Sequence, residues 1–386
     1  MNRYIYVAPC HFGLESVLKR EIQGIGCKIV SVDDGRVTFE GDADTAAAAN
    51  IKLRTAERIL LLVDEFRAVT YDELFEKTKA VCWEEFLPRD AKFWVAKASS
   101  VKSALFSPSD IQRIIKKAMA DRMSAHYGYR WAPETGAAYP LRVAIRKDIV
   151  TLGLDTTGTS LHKRGYRISP VIAPISETLA AALILLTPWR QGRILVDPFC
   201  GSGTFPIEAA MIAGNIAPGV NREFLSEKWN SILPEDSFRR AREQARVEEI
   251  PVTDTDIQGY DIDPKAVKAA RENAREAGVL SYLHFQRRAV ADLSHSGKYG
   301  FIITNPPYGE RIEDRANLPE LYGALGEAYR KLDTWSMYVI TAYDQAESGI
   351  GLRSSKNRKI YNGMMKTYLY EYIGPKPPRK PREGRT

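Results

Sequence analysis

An apolar run, Tyr299 to Thr304, stops at two consecutive prolines, and the stretch Thr304-Asn305-Pro306-Pro307-Tyr308-Gly309-Glu310-Arg311 restricts this chain more than any other. The run reads as a buried strand. Pro306 and Pro307 supply no backbone N–H, fix two φ angles and push Asn305 and Pro306 out of the helical region, so the strand must end stiff and extended. On open α/β sheets, ligands bind where strands end. This strand end presents acceptors beside one aromatic face: the Asn305 side-chain oxygen and the Pro306 carbonyl can each accept a hydrogen from an exocyclic amine, and Tyr308 can stack on the ring bearing it. A nucleobase amine is a poor nucleophile because its lone pair is conjugated with the ring. Two rigid acceptors aim the freed lone pair at an electrophile by orientation and electrostatic preorganisation. No strong base is needed if that electrophile is a sulfonium methyl. Asn305, Pro306, Pro307 and Tyr308 are therefore the candidate catalytic residues; a proline turn closing a strand is the bland reading of the motif alone.

The residues around this stretch alternate strand and helix, a Rossmann-like α/β pattern. Ser176 is a plausible N-cap for a helix Glu177 to Leu186, and a strand Arg193 to Val196 leads into Asp197-Pro198-Phe199-Cys200-Gly201-Ser202-Gly203-Thr204-Phe205 ahead of a helix Pro206 to Ala213. Small residues let the backbone approach a ligand closely. No Lys-Ser/Thr follows Gly203, so this is not a Walker loop, and Pro206 stands where a dinucleotide fingerprint needs its third glycine. Without a pyrophosphate cradle, the loop suits an amino-acid tail on a nucleoside. A second strand ends at Asp261, whose carboxylate can take both ribose hydroxyls, while Asp263 caps the helix Lys265 to Ala277. A third strand, Phe285 to Val290, places Asp292 where an acceptor meets an adenine amine. Cys200 has no base nearby and reads as small-residue packing. A helix Asn317 to Leu332 and strands Trp335 to Thr341 and Tyr368 to Ile373 follow, with Arg353 to Lys359 a basic loop.

Upstream, strands and helices from Arg3 to Val63 give a β-α-β-β-α-β order, the split ferredoxin-like arrangement, with a hairpin at Asp33-Asp34-Gly35. A second α+β unit begins near Arg67, with helices Tyr71 to Trp83 and Pro108 to Tyr127, a strand Lys92 to Ala98, and paired strands Leu141 to Ile145 and Ile149 to Asp155. Lys116 and Lys117 fall on the polar face of its long helix, where RNA contact and plain solvation explain them equally. Leu161-His162-Lys163-Arg164-Gly165-Tyr166-Arg167 is a cationic, aromatic-bearing segment suited to a phosphate backbone, with His162 in a structural or positioning role.

Composition narrows the class. With 386 residues and a net charge of +7, the chain is long enough for two or three domains and basic enough to suit a polyanion. Its 4 cysteines lie far apart, with no CxxC pair, which argues against zinc and disulfide frameworks and for a reducing cytoplasm. Neither a signal-peptide core nor a membrane-length apolar run is present.

The N-terminal pattern together with Leu161 to Arg167 resembles a THUMP RNA-binding domain behind its ferredoxin-like partner. Up to about Ile373 the chain is similar to the THUMP-domain RNA guanine-N2 methyltransferases, closest to the bacterial group assigned to large-subunit (23S) ribosomal RNA. The resemblance runs through Leu161 to Arg167, Asp197 to Phe205, Ala217-Pro218-Gly219 with Arg222-Glu223-Phe224 and Trp229, Asp261 to Pro264, and Asn305 to Arg311. It implies a ferredoxin-like domain over 1–65, a THUMP domain over 66–160 and a class I methyltransferase domain over 161–373, beyond which the Pro/Lys/Arg composition reads as a basic, disordered tail over 374–386. It also implies S-adenosylmethionine as cofactor, no metal, and N2-methylguanosine in RNA as product, ribosomal first and transfer RNA as the alternative. By the resemblance Asp197, Gly201, Gly203, Asp261 and Asp292 lie around the cofactor, and the same loop and strand ends add Phe199, Cys200, Ser202, Ile262 and Asn305; the basic segments offer Lys116, Lys117, Lys163, Arg164, Tyr166, Arg167, Arg311, Lys356 and Arg358 as candidate RNA contacts. Larger relatives carry a second methyltransferase domain, and this chain stops before one, so a single methylation is expected. Adenine or cytosine amines in DNA, a glutamine amide in proteins, or a non-catalytic RNA-binding role are the other readings of the motif set.

Overall fold

Two hydrophobic patterns build two seven-stranded sheets, one in each of two compact units. The computed structural model describes residues 3–168, 174–309, 316–363 and 365–378. The first unit takes in the residues up to Cys10, Glu15–His162 and Ala217–Glu248; the second takes in His11–Leu14, Lys163–Ile216 and the chain from Glu249 onward.

In the first unit, β1 (Tyr4–Pro9), α1 (Glu15–Gly24), β2 (Lys28–Asp33), β3 (Arg36–Gly41), α2 (Thr45–Lys52) and β4 (Leu60–Arg67) give the expected ferredoxin-like order. Then come α3 (Tyr71–Ala80), β5 (Lys92–Val101), α4 (Pro108–Tyr127), β6 (Ala138–Arg146) and β7 (Ile149–Asp155). These fuse into one sheet of order β2-β3-β1-β4-β7-β6-β5. The joint is the antiparallel pairing of β4 with β7, from Leu60 opposite Asp155 to Arg67 opposite Ile149, which covers an edge that would otherwise be left open. The long helix α4 has clear punctuation: the Ser107 hydroxyl accepts from the Asp110 N–H at 3.4 Å, Pro108 occupies the first turn, and Gly128 closes it with φ 68°. Ile111, Ile115, Ala118, Met119 and Met123 form its buried face.

The second unit begins its regular structure with α5 (Glu177–Leu186), β8 (Leu195–Asp197) and α6 (Thr204–Ala213), and after a segment containing α7 (Ser237–Val247) continues with β9 (Ile257–Asp261), α8 (Pro264–Glu276), β10 (Leu283–Arg287) and β11 (Phe301–Thr304). Last come α9 (Leu318–Arg330), β12 (Ser336–Thr341), α10 (Ala346–Ile350), β13 (Lys356–Asn362) and β14 (Met365–Tyr372). Strand order is β10-β9-β8-β11-β12-β14-β13; β10 through β12 run parallel, and β14 is antiparallel to both its neighbours. The chain steps outward from β8 to β10, then returns to lay β11 on the other side of β8. That reversal opens a crevice at the strand ends between β8 and β11.

Two segments differ from the sequence reading. Lys356 to Lys359 lie in the edge strand β13, with Arg358 opposite Leu369, where a basic loop was expected. The period-two alternation there is masked by charges, the usual dress of a sheet edge. The sequence from Pro218 to Pro251 reads as an interruption by charged helices, whereas Ala217–Glu248 pack into the core of the first unit through Phe224, Trp229, Leu233 and Phe238. Trp229 is fully buried, stacks on Tyr139 at 4.6 Å and donates its indole N–H to the Ala138 carbonyl at 2.9 Å. Trp229→Ala is expected to destabilise the first unit by about 3–5 kcal/mol, a typical cost of deleting a buried large aromatic. Chemical denaturation followed by a probe in residues 15–162 measures it, and an unchanged midpoint contradicts this packing.

Candidate active site

The crevice at the switch between β8 and β11 is a cavity of about 410 Å³. Its walls carry Asp197 to Ser202 from the loop after β8, Asp261 and Ile262 from the end of β9, Arg288 to Ala291 after β10, and Asn305 to Gly309 after β11. The expected catalytic stretch and the glycine loop thus open onto one space.

The loop is stitched to the neighbouring strand end. The Cys200 N–H donates to the Tyr260 carbonyl at 2.8 Å, and the Gly201 N–H donates to Asp261 Oδ2 at 3.0 Å. Asp261 Oδ1 also accepts from the Asp263 N–H at 2.9 Å, while the Asp263 side chain caps α8 at the Lys265 N–H, as read from sequence. Burial holds the Asp261 carboxyl above its ordinary range, partly offset by these N–H donors. Half-buried Phe199 and exposed Ile262, 67% accessible, give that end an apolar lining suited to a flat ring.

Asp197, 1% exposed, terminates β8. One oxygen, Oδ1, accepts both the Phe199 N–H at 3.1 Å and the Thr304 hydroxyl at 2.6 Å. Burial, reinforced by the charge of Asp261 and opposed by those two donors, lifts its pKa from 3.8 to about 7. Thr304 is the last residue of β11, so this bond ties the glycine loop to the residue before Asn305. Beyond it Asn305 and Tyr308 are half-buried, Pro306 is buried, Pro307 is exposed, and Gly309 turns with φ 76°. The Pro307 carbonyl accepts from the Tyr322 hydroxyl at 3.2 Å, and that hydroxyl pairs with Thr341 at 2.6 Å, which pins the ledge to α9 and β12.

Other candidates are placed differently. Gly203 is not among the lining residues; with φ 86° it starts α6, and a Cβ there would meet Ala270 at 3.0 Å and Phe285 at 3.1 Å, so its smallness serves a turn and close packing. Asp292 is exposed and outside the lining, because β10 stops at Arg287 and the turn that follows presents Arg288 to Ala291 instead. Cys200 lines the cavity but is buried, and burial first, then Asp197 and Asp261, push its thiol well up, away from the thiolate a nucleophile requires.

The cationic segment is corrected most. Arg164 and Tyr166, expected to touch RNA, are 6% and 4% exposed and both bond Glu208 of α6, the guanidinium at 3.3 Å and the phenol at 3.1 Å. A buried guanidinium must be paired, and no surface remains for a phosphate. Arg167 reaches the glycine loop. Lys163 is exposed, and His162 sits 3.1 Å from Glu57 within the first unit. Lys116 and Lys117 are exposed along a separate shallow groove with Trp94, Gln112 and Arg113. Lys356 is exposed, Arg358 is paired with Glu371 at 2.8 Å, and Arg311 and residues 379–386 lie outside the described residues. Sequence reasoning missed Thr304, Arg288 and Ile175; of these only Thr304, a hydroxyl closing an apolar strand, left a signal. Among the described residues no metal-holding cluster occurs, and no helix is long and apolar enough to cross a membrane.

The raised pKa of Asp197 sets a pH dependence. Its folded value exceeds its unfolded one, so the folded state holds the extra proton between roughly pH 4 and 7, and stability falls as pH rises through that window. Asp197→Asn keeps Oδ1 for both donors and has no proton to lose. Its stability relative to wild type is expected to rise from pH 4 to 7, by on the order of a few kcal/mol, and then level; a difference flat with pH, in parallel thermal melts, contradicts the assignment.

Comparison with known proteins identifies the family. Residues 164–371 match the RMKL-like methyltransferase domain, residues 6–60 the RlmL ferredoxin-like domain and residues 68–155 the THUMP domain. YpsC of Bacillus subtilis (strain 168), provisionally named an RNA methyltransferase, is 45% identical over 393 residues, covering 100% of both chains. The Ribosomal RNA large subunit methyltransferase K/L of Syntrophotalea carbinolica is 36% identical over 391 residues, covering 95% of this chain and 53% of that protein, so this chain spans about half the length of the K/L relatives it matches. The solved structure of SMU.472, complexed with SAH, superposes with a TM-score of 0.91 at 40% identity, covering 98% of this chain and 100% of that one. The chain thus belongs to the RMKL-like methyltransferase family, with RlmL-type ferredoxin-like and THUMP domains in its first unit.

Proposed function

We propose that this chain is an S-adenosylmethionine-dependent RNA methyltransferase that modifies the exocyclic N2 of a guanine, in large-subunit ribosomal RNA, in the cytoplasm. One observation carries the reading: the Asn305–Tyr308 ledge and the carboxylate-bearing strand ends of β8 and β9 line the same cavity. The residues fit such a donor. Asp261, already oriented by two N–H groups, has acceptor capacity for ribose hydroxyls; Phe199, Ile262 and Val290 offer apolar walls for an adenine; Asp197 and the loop to Ser202 suit an amino-acid tail. When bound, the donor supplies an electrophilic methyl on a sulfonium sulfur.

The chain's own residues do the rest by positioning. Tyr308 offers a face for a base flipped from its stack, at a cost of a few kcal/mol that pocket contacts offset. Asn305 Oδ1 and the Pro306 carbonyl accept the two N2 hydrogens, which turns the nitrogen lone pair toward the methyl. With the amine so held, methyl transfer would leave N2 with one surplus proton, which would pass to water. The ledge reads an amine, not a particular ring. Support for RNA comes from the THUMP domain and from what the relatives are named for.

Purified protein incubated with labelled donor and RNA from cells lacking the gene, followed by digestion to nucleosides, is expected to place label in N2-methylguanosine. Label in methyladenosine or methylcytidine overturns the guanine assignment, and transfer RNA as the labelled fraction overturns the ribosomal one. Asn305→Ala is expected to slow methyl transfer at least roughly a hundredfold, the scale of one lost preorganised contact, while calorimetric SAH affinity stays within a few fold. Wild-type turnover in that variant rejects the ledge mechanism.

A further inference from the structure

Arg167 was expected on an RNA surface, yet its side chain is only 18% exposed and is spent on the second unit's own framework. Its guanidinium makes four hydrogen bonds: Nε to Glu177 Oε1 at 2.9 Å, Nη1 to Ser202 Oγ at 2.9 Å, and Nη2 to the Ile175 carbonyl and Thr204 Oγ1, each at 3.1 Å. Glu177, 4% exposed, opens α5; Ser202 and Thr204 belong to the glycine loop and line the cavity, whereas Arg167 itself is not among the lining residues. Only a planar fork with several fixed donors reaches helix, loop and carbonyl together, and an ammonium cannot reproduce it.

Resting on the donor-binding reading above, we propose that Arg167 is a positioning residue for the donor, which sets the loop and turns the Ser202 and Thr204 hydroxyls into donors for the carboxylate of the donor's amino-acid tail. The chemistry follows from the direction of the bonds. Both hydroxyl oxygens accept from the guanidinium, which leaves each O–H to donate, and a hydroxyl that accepts from a cation donates more strongly to its next partner. Glu177 neutralises the cation and fixes its plane, so the charge acts through the hydroxyls. The segment is braced by the adjacent Arg164–Glu208–Tyr166 cluster, in which the Arg164 and Glu208 side chains are 1% and 0% exposed. This assigns the Lys163 to Arg167 stretch a role in the methyl-donor pocket where its composition suggests RNA.

The test compares wild type with Arg167→Ala, Arg167→Lys and the double variant Ser202→Ala/Thr204→Val, which removes the acceptor side and leaves the Arg167–Glu177 pair intact. SAH affinity is read by calorimetry without RNA, RNA affinity by filter binding without donor, and KM for the donor separately from kcat. Arg167→Ala and the double variant are each expected to weaken SAH at least roughly tenfold, the scale of a lost hydrogen bond to a charged group, and to raise the donor KM. RNA affinity is expected to stay within roughly twofold, with Arg167→Lys restoring little. Should Arg167→Ala fail to fold, the double variant decides. Unchanged SAH affinity in the folded variants overturns the proposal, as does a loss of RNA affinity with SAH affinity intact. Wild type that binds no SAH overturns instead the donor reading on which the proposal rests.

Discussion

A single buried hydrogen bond, from the Thr304 hydroxyl to Asp197 Oδ1 at 2.6 Å, joins the two strand ends between which everything else is arranged. β8 and β11 are hydrogen-bonded neighbours, yet the chain leaves them in opposite directions, so their ends would diverge into separate loops without a tie. The tie sets the glycine loop on one side and the Asn-Pro-Pro-Tyr ledge on the other. Each is then fixed from behind: the loop by Cys200 and Gly201 on β9 and by Arg167 on α5, the ledge by its prolines and by Tyr322 on the Pro307 carbonyl. Rigidity on both sides suits a reaction in which the protein supplies no base and acts by orientation.

Burial of Asp197 is the cost of this arrangement. An isolated buried carboxylate would neutralise itself, and two donors on one oxygen bring its pKa only to about 7. The group is held near the point where a cationic neighbour decides its charge. A fold that stores this penalty at a ligand site gives up stability there for affinity.

The ledge was legible because proline leaves so few conformations, and the apolar run before it could only be a strand. Asp261 and Asp263 were separable because a carboxylate ending a strand and one preceding Pro264 face different partners, and the structure keeps them apart. The ferredoxin-like order and the cap of α5 were readable from local chemistry at Gly35 and Ser176. Arg164, Tyr166 and Arg167 were not, since a cationic, aromatic run looks the same whether its counter-charges lie in RNA or in the protein; Glu208 is 44 residues from Arg164, and Glu177, 10 residues from Arg167, lies outside the run, so neither gives a local sign of pairing. Nor was the home of Ala217–Glu248, where Trp229 finds Tyr139 only through tertiary packing. Asp292 failed by boundary: β10 ends at Arg287 and the turn that follows presents its neighbours instead.

The central claim is that the donor's tail lies against the Asp197 loop with its sulfur turned toward the ledge. A crystal structure of the SAH complex tests it most directly. The account predicts ribose hydroxyls on Asp261, the amino-acid tail beside Asp197, Ser202 and Thr204, and the sulfur facing Asn305 and Tyr308. SAH bound outside this cavity, or within it with the sulfur turned away from Asn305, contradicts the account.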